Sequence, residues 1–323
     1  WDVLEPWEQS ALAQLSVFSS GFTLDAAEFV VNVSAWPEVV WMSEVIDSLV
    51  EHHLVRAMRD DDYDGIRYSL SGSIQDSAAA HLQREFSSDV STVYSHYANY
   101  YAQFGEDEAL GALIRHGGAD RWFSLTLELD NIRNAAAWAI REKKGQTASQ
   151  LACAACVLMH RIGPFDPAIE LMTCCLRMDG VAPVQQIRLY YHRAQIYRNL
   201  SEITSCMDDC EQAIKLADRH HHPRLKVMAI VERADVTMDS GEVDAAKAGY
   251  QLARELARQL EAPGLEGMAV GGLASLCHTS GEFREAQTLY VESINLLRRG
   301  GNIQWAARTQ SNYAGYLTDI DRR

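Results

Sequence analysis

Ser201-Glu202-Ile203, Gly241-Glu242-Val243 and Gly281-Glu282-Phe283 open three consecutive blocks of forty residues, and those blocks decide the fold. Position six of each block is Cys206, Ala246 or Ala286. Position ten is Cys210, Tyr250 or Tyr290, position sixteen is Leu216, Leu256 or Leu296, and position thirty-four is Ala234, Ala274 or Ala314. A register that holds over three blocks without a gap marks a stacked array of one supersecondary unit. A weaker, slightly shorter copy precedes them in Gly163, Phe165, Ala168, Met172 and Leu176, followed by Ala194 and Tyr197.

The physics of the pattern is helical. A small residue at Ala194, Ala234, Ala274 and Ala314 lets one helix approach its neighbour closely. The next helix carries a small residue at Cys206, Ala246 or Ala286 and, in two of the three blocks, an aromatic residue four positions on, on the same face. Gly241 and Gly281 end a helix and turn the chain. Each helical pair leaves an apolar face that only the next pair can cover, so the pairs stack as a superhelix.

These blocks resemble the tetratricopeptide repeat in a form lengthened to about forty residues. The small–small–aromatic order of Ala274, Ala286, Tyr290 and Ser293 matches that family's spacing; the block at Ser201 departs from it, with Cys210 in the aromatic slot. The resemblance implies binding on a concave surface lined by the first helix of each pair. In this register the inward positions are Arg188, Tyr191, Gln195, Arg198 and Asn199, then Met228, Asp235 and Met238, then Met268, Ser275 and His278, and finally Arg308, Ser311 and Thr318. Arg188, Arg198 and Arg308 suit a bidentate grip on carboxylate or phosphate. The three methionines would form an adaptable apolar floor.

Working outward, charge divides the chain. Its 323 residues carry a net charge of −15, from 29 Lys+Arg against 44 Asp+Glu. Residues 1–90 hold only 4 Arg and no Lys against 16 Asp+Glu, so most of the excess lies there. Pro6 opens a periodic stretch through Leu12, Leu15 and Phe18, which Gly21 breaks. Thr23 caps a second helix, Leu24 to Val30. Pro37 and Glu38 start a third, with Val40, Trp41, Val45, Ile46, Leu49 and Val50 as its apolar stripe. Leu54–Met58 and Ile66–Leu70 flank the acidic turn Asp60-Asp61-Asp62-Tyr63-Asp64-Gly65, the signature of a hairpin. Helix–helix–helix–hairpin is the winged-helix order. Such a domain often reads DNA through its third helix. Here that helix carries Glu38, Glu44, Asp47 and Glu51 and no cation, which argues against phosphate contact and for packing on neighbouring domains.

The stretch from Pro6 to Glu28, with Trp7, Leu12, Phe18, Phe22 and Ala27, resembles the winged-helix segment that follows the nucleotide-binding domain of STAND-class signalling ATPases. Leu127 to Ala139, with Asn131, Ile132, Ala135 and Trp138, resembles the helix that leads into their repeat arrays. The family implies a switch protein: an ATPase module, a winged helix and a helical-repeat sensor that binds an effector or partner. No G-x-x-x-x-G-K-[ST] sequence occurs here. The chain opens on Trp1 without a Met, a basic n-region or an apolar h-region, and so reads as an excised fragment. ATP and Mg²⁺ are accordingly expected only in a missing upstream domain, with no cofactor in this chain.

Other constellations favour plain packing. Cys153-x-x-Cys156 lies in an apolar helical run and lacks a second ligand pair at zinc spacing. Cys206 and Cys210 occupy core positions of the repeat, and Cys174-Cys175 point in different directions. His220-His221-His222 falls at an inter-helix turn, and Asp208, Asp209 and Glu211 on an exposed helical turn. No nucleophile elbow is present. Seven cysteines, an odd number, fit reduced thiols in a cytoplasm. The uncharged stretches are too short to span a bilayer.

The expected fold is therefore mostly α: a small winged-helix-like domain at 1–85, a helical linker region at 86–160 and a tetratricopeptide-like α-solenoid at 161–323. The expected function is a non-catalytic sensor or protein-interaction region of a STAND-like signalling protein. Its partner would be a protein, a peptide or a small effector, with contact to an absent ATPase domain, and no membrane or DNA partner. Arg188, Tyr191, Gln195, Arg198, Asn199, Asp235, His278, Arg308 and Ser311 are the candidate contacts. A passive repeat scaffold and, against the charge, a transcription regulator are the alternatives.

Overall fold

The computed structural model describes residues 1–36, 41–59 and 65–321. The chain divides into two compact units. Residues 1–106 and 120–155 form one, and residues 107–119 and 156–323 the other.

The first unit opens with α1 (Pro6–Leu15), α2 (Leu24–Val30) and α3 (Met42–Glu51), followed by β1 (Arg56–Arg59) and β2 (Ile66–Ser69). Pro37, Glu38 and Val40, read as the start of the third helix, and the acidic turn Asp60–Asp64 lie outside the described residues. The two strands pair antiparallel, with Arg56 opposite Ser69 and Arg59 opposite Ile66; among the described residues they are the only strands. Phe22 adds an isolated bridge, exchanging two 2.8 Å backbone bonds with Tyr68. Gly21 permits this, because its φ is +89° and an added Cβ would stand 2.8 Å from the Tyr68 carbonyl oxygen. The unit continues through α4 (Gly72–Arg84), α5 (Val90–Ala102) and α8 (Leu129–Arg141).

The core of this unit is aromatic. Phe18 stacks on Phe22 and meets Tyr97 and Tyr101 edge-on. Buried hydroxyls need partners, and Asn131 and Glu128 supply them. Tyr97 donates to the Asn131 carbonyl at 2.9 Å and Tyr101 to Glu128 at 2.8 Å. Asn131 also donates to the Gly21 carbonyl and accepts from the Ser19 amide, both at 2.8 Å. The two sequence stretches that carry the STAND resemblance thus clasp each other through one buried asparagine.

The second unit is an α-solenoid. After α6 (Asp107–Ala112), the end of α9 (Gly145–Ile162) from Cys156 onward and α10 (Phe165–Leu176) come seven helices whose first residues fall every twenty positions. They are α11 (Pro183–Asn199), α12 (Ile203–Arg219), α13 (Pro223–Asp239), α14 (Val243–Gln259), α15 (Pro263–Thr279), α16 (Phe283–Arg299) and α17 (Ile303–Asp321). (The helix α7, Gly118–Leu127, lies earlier in the chain.) The forty-residue sequence repeat is therefore two twenty-residue structural halves. α11, α13, α15 and α17 are first helices of their pairs; α12, α14 and α16 are second helices.

Every turn in the array uses one device. The residue at 201, 221, 241, 261, 281 or 301 takes a left-handed conformation, with φ between 49° and 83°. The next amide then reaches back to a carbonyl five residues earlier, as in Glu242 to Thr237 at 3.1 Å and Asn302 to Leu297 at 2.9 Å. This double closure satisfies the helix-terminal carbonyls. The packing follows the expected small–aromatic pattern. Ala246, Tyr250, Ala253 and Ala257 of α14 are buried against α13 and α15 with Val227, Ile230, Ala234, Ala269 and Leu273. Cys206 and Cys210 are buried with Ala194 and Val236. All seven cysteines are free thiols.

Candidate functional site

The first helices project a row of polar side chains into a shared groove. Arg198, near the end of α11, is its pivot. Its Nη1 lies 2.6 Å from Asp235 Oδ2 and 3.0 Å from Glu232 Oε1, and its Nε lies 3.7 Å from Asp239. Asp235 also accepts from the Tyr250 hydroxyl at 2.6 Å. Gln195 reaches the Tyr191 hydroxyl at 3.2 Å and Glu232 Oε2 at 3.4 Å. From α17, Arg308 stands over the Trp305 ring at 4.6 Å, with its Nη2 4.0 Å from Asp235.

Two adjoining cavities open along this row and share Arg198, Trp305 and Arg308. The larger, about 510 Å³, adds His160, Arg161, Gln195, Asn199 and Gln304. Three arginines line it and no carboxylate does. The smaller, about 220 Å³, is narrower and mixed, with Asp235, Asp239, Met238, Met268 and the flat patch of Gly271 and Gly272. Gly272 is required there, since an added Cβ would meet the Tyr250 ring at 2.2 Å.

Burial sets the charge states. Glu232 is 3% exposed. Burial raises its pKa to about 7, against the opposing pull of Arg198. Burial lowers His160 to about 4 and His192 to about 3, so this stacked pair is neutral at pH 7. Burial, with Arg308 adding repulsion, lowers Arg161. Arg198 is held well above the usual guanidinium range because Glu232 and Asp235 outweigh its own burial. Burial thus weakens the negative charge that Glu232 sets against Arg198.

Of the nine residues expected from sequence, the fold brings Gln195, Arg198, Asn199, Asp235 and Arg308 together around these cavities, with Met238, Met268 and Ser275. Tyr191 is buried beneath them and accepts from Gln195. Arg188 is elsewhere: its Nε donates to Asp107 Oδ1 at 2.7 Å, and it lines a separate cleft with Arg115 and Met228. His278 sits among Phe283, Tyr290 and Tyr316, with its Nε2 3.2 Å from Asp319. Ser311 and Thr318 are exposed on α17, outside the cavity walls.

Arg161, Gln304 and Trp305 went unread in the sequence. Arg161 belongs to α9, outside the repeat register. Trp305 occupies the slot filled by Leu225 and Leu265 in the earlier first helices, and that substitution was a legible signal. His220, His221 and His222 span the turn into α13, with His221 at a φ of +57°. Among the described residues, Cys277, Glu282 and Glu285 bring metal-ligand atoms within 4.8 Å of one another. Burial pushes the Cys277 thiol up to about 11, with a hydrogen bond to Glu282 adding to it, and so keeps it protonated.

No family model matches the chain, and no curated protein matches it. Several solved structures are similar in fold, two of them as follows. BtubC (BKLC) from P. vanneervenii shares 13% identity at a TM-score of 0.45, over 60% of this chain and 89% of that one. A signal transduction ATPase with numerous domains, carrying a tetratricopeptide repeat sensor, from Pyrococcus horikoshii shares 13% identity at a TM-score of 0.35. It matches over 95% of this chain, which spans 53% of its length. Among the described residues, no helix is long and apolar enough to cross a membrane.

Proposed function

We propose that the α-solenoid is the sensing or partner-binding part of a STAND-like signalling protein and binds without bond-making chemistry of its own. Its ligand is a peptide, protein or small effector that presents a carboxylate or phosphate to the Arg161–Arg198–Arg308 wall and an apolar or planar portion to Trp305 and the methionines. The observation that carries this reading is the larger cavity, whose wall holds three guanidinium groups and no carboxylate. Opposite charge on a ligand is what such a wall selects. The sequence resemblance of residues 6–28 and 127–139 to STAND segments, read with the helix–helix–helix–hairpin order of the first unit, supports a winged-helix segment that would contact an ATPase module. Ligand binding would then act by favouring one domain arrangement, which requires different affinity for the two.

Titration of the intact chain with phenyl phosphate, and with a short peptide in free-carboxylate and amidated forms, tests the reading. At least one anionic probe binds and weakens as salt rises. Arg308→Gln lowers its affinity about tenfold or more, the value of one charge-assisted hydrogen bond. The amidated peptide does not bind. Equal affinity in the wild type and Arg308→Gln refutes the site.

A further inference from the structure

A cleft of about 690 Å³ opens at the turn edge of the array and shares no residue with the two groove cavities. Three first helices begin on it. Its wall holds Pro223, Arg224 and Leu225 of α13, Pro263, Gly264 and Leu265 of α15, and Asn302 just before α17. Helices that begin side by side turn their unpaired N–H groups and the positive ends of their dipoles towards one space. Among the described residues, the Arg224, Leu225 and Gly264 amides have no backbone acceptor.

The side chains add what helix ends alone do not. Asn302 is 4% exposed. Its Oδ1 accepts from the Trp305 amide at 3.2 Å and so caps α17. Its Nδ2 has no acceptor among the described residues, although a buried amide ordinarily finds one. An added Cβ on Gly264 would lie 3.6 Å from the Asn302 Cβ, so this side chain stands beside the start of α15, within the wall of the cleft. The free donor is left to the cleft. The earlier first helices carry His222 and Ala262 at the equivalent position, so the repeat itself does not demand an asparagine there.

Charge points the same way. Arg115, Arg188 and Arg224 line the cleft against Asp107 and Glu261, three cations to two anions before the helix ends are counted. Asp107 is already held by Arg188 at 2.7 Å, and Glu261 is exposed. Neither the Arg115 nor the Arg224 guanidinium has an ion-pair partner among the described residues. Ile114, Leu225, Met228, Leu260 and Leu265 give the same cleft an apolar wall. A phosphate monoester carries three acceptor oxygens on one atom, one more than a carboxylate, and so suits donors that come from several helix starts. The volume falls within the range of small-molecule pockets, roughly 300–1,000 Å³.

We infer that this edge cleft binds a small phosphate monoester with an apolar body. The Asn302 amide, the first turns of α13 and α15 and the Arg115 and Arg224 guanidiniums hold the phosphate, and Ile114, Met228 and Leu265 take the body.

Calorimetric titration of the full Arg308→Gln chain with 1-naphthyl phosphate separates this site from the groove, whose binding that substitution weakens. The probe binds this chain. Adding Asn302→Asp keeps an oxygen for the Trp305 amide, and with it the melting temperature, but replaces the free donor with a charged acceptor. Affinity for the probe then falls about tenfold or more. Adding Arg115→Gln and Arg224→Gln together, at exposed positions, lowers it about threefold or more. No binding to the Arg308→Gln chain overturns the inference in favour of the groove, and undiminished affinity in either added set overturns it outright. Equal affinity for 1-naphthoate overturns the choice of phosphate. A phosphoserine peptide that binds about tenfold more tightly than the probe overturns the choice of a small molecule.

Discussion

Glu232→Gln should change how stability depends on pH, by an amount the groove specifies. Burial holds the Glu232 carboxyl at about 7 in the folded chain, against an ordinary value of 4.5. The folded state thus binds this proton more tightly than the unfolded state does. A raised folded value contributes stability that is fully present below about 4.5 and is lost as pH rises through 7. At about 1.4 kcal/mol per unit, the separation amounts to about 3 kcal/mol. His160 and His192 run the other way. Their depressed values give stability that is present above the ordinary 6.5 and lost as pH falls towards about 4 and about 3. Those contributions, and those of the raised Asp209 and Asp239, are common to both proteins and cancel in the difference. Urea denaturation of both proteins from pH 5 to 8 is the assay. The Gln variant should gain on the wild type by about 1.4 kcal/mol per pH unit from pH 5 to 7, then hold level near pH 8. Parallel stability curves would refute the reasoning, since they would mean that Glu232 is solvated or fully ionised beside Arg198.

Two further substitutions test the packing and the turns. Gly272→Ala should destabilise by about 1–3 kcal/mol in chemical denaturation. Ordinary helix propensity would give a gain of about 1 kcal/mol, so the sign decides whether the Tyr250 ring stands as close as 2.2 Å to the added carbon. Glu261→Gly should stabilise by about 0.5–1 kcal/mol, because Glu261 holds a φ of +49° in a slot that glycine fills at position 301; a loss on the same denaturation curve would contradict the turn assignment.

The forty-residue period was legible because close helix contacts demand small residues, and the buried Ala194, Ala234 and Ala274 answer that demand at fixed spacing, while Ala314 keeps the spacing but is exposed. The twenty-residue half-period was not. First helices such as α15 are buried on two sides, with Gly267, Met268, Ala269 and Val270 in succession, whereas second helices such as α14 bury only one stripe. The geometry repeats at twenty while the residue pattern alternates. The shared turn was hidden in the same way, since Ser201, His221 and Glu261 take the left-handed conformation that Gly241, Gly281 and Gly301 advertise. In the groove, Arg198, Asp235 and Arg308 could be placed from the register because they sit on first helices. Arg161 could not, lying in α9 with no repeat to index it. Arg188 was drawn away by Asp107, a residue of the 107–119 segment, whose Ile114 carbonyl also accepts from the Ile303 amide at 3.0 Å. Nothing periodic announces a partner that distant in sequence.

The legible part also locates the first unit's organising residue in retrospect. Asn131 and Glu128 sit in a stretch picked out only by resemblance, yet their buried hydrogen bonds to Tyr97, Tyr101, Ser19 and Gly21 give a physical reason for those residue types at that place. A buried polar hub of this kind costs free energy unless every partner is present.

Amide hydrogen exchange of the chain with and without phenyl phosphate tests most directly whether recognition takes place in the groove formed by the first helices. The account predicts added protection in α11 near Arg198, in α15 near Met268 and in α17 near Trp305 and Arg308, with α12, α14 and α16 unchanged. Protection confined to α12, α14 and α16, or none at concentrations of the probe that saturate binding, would contradict it.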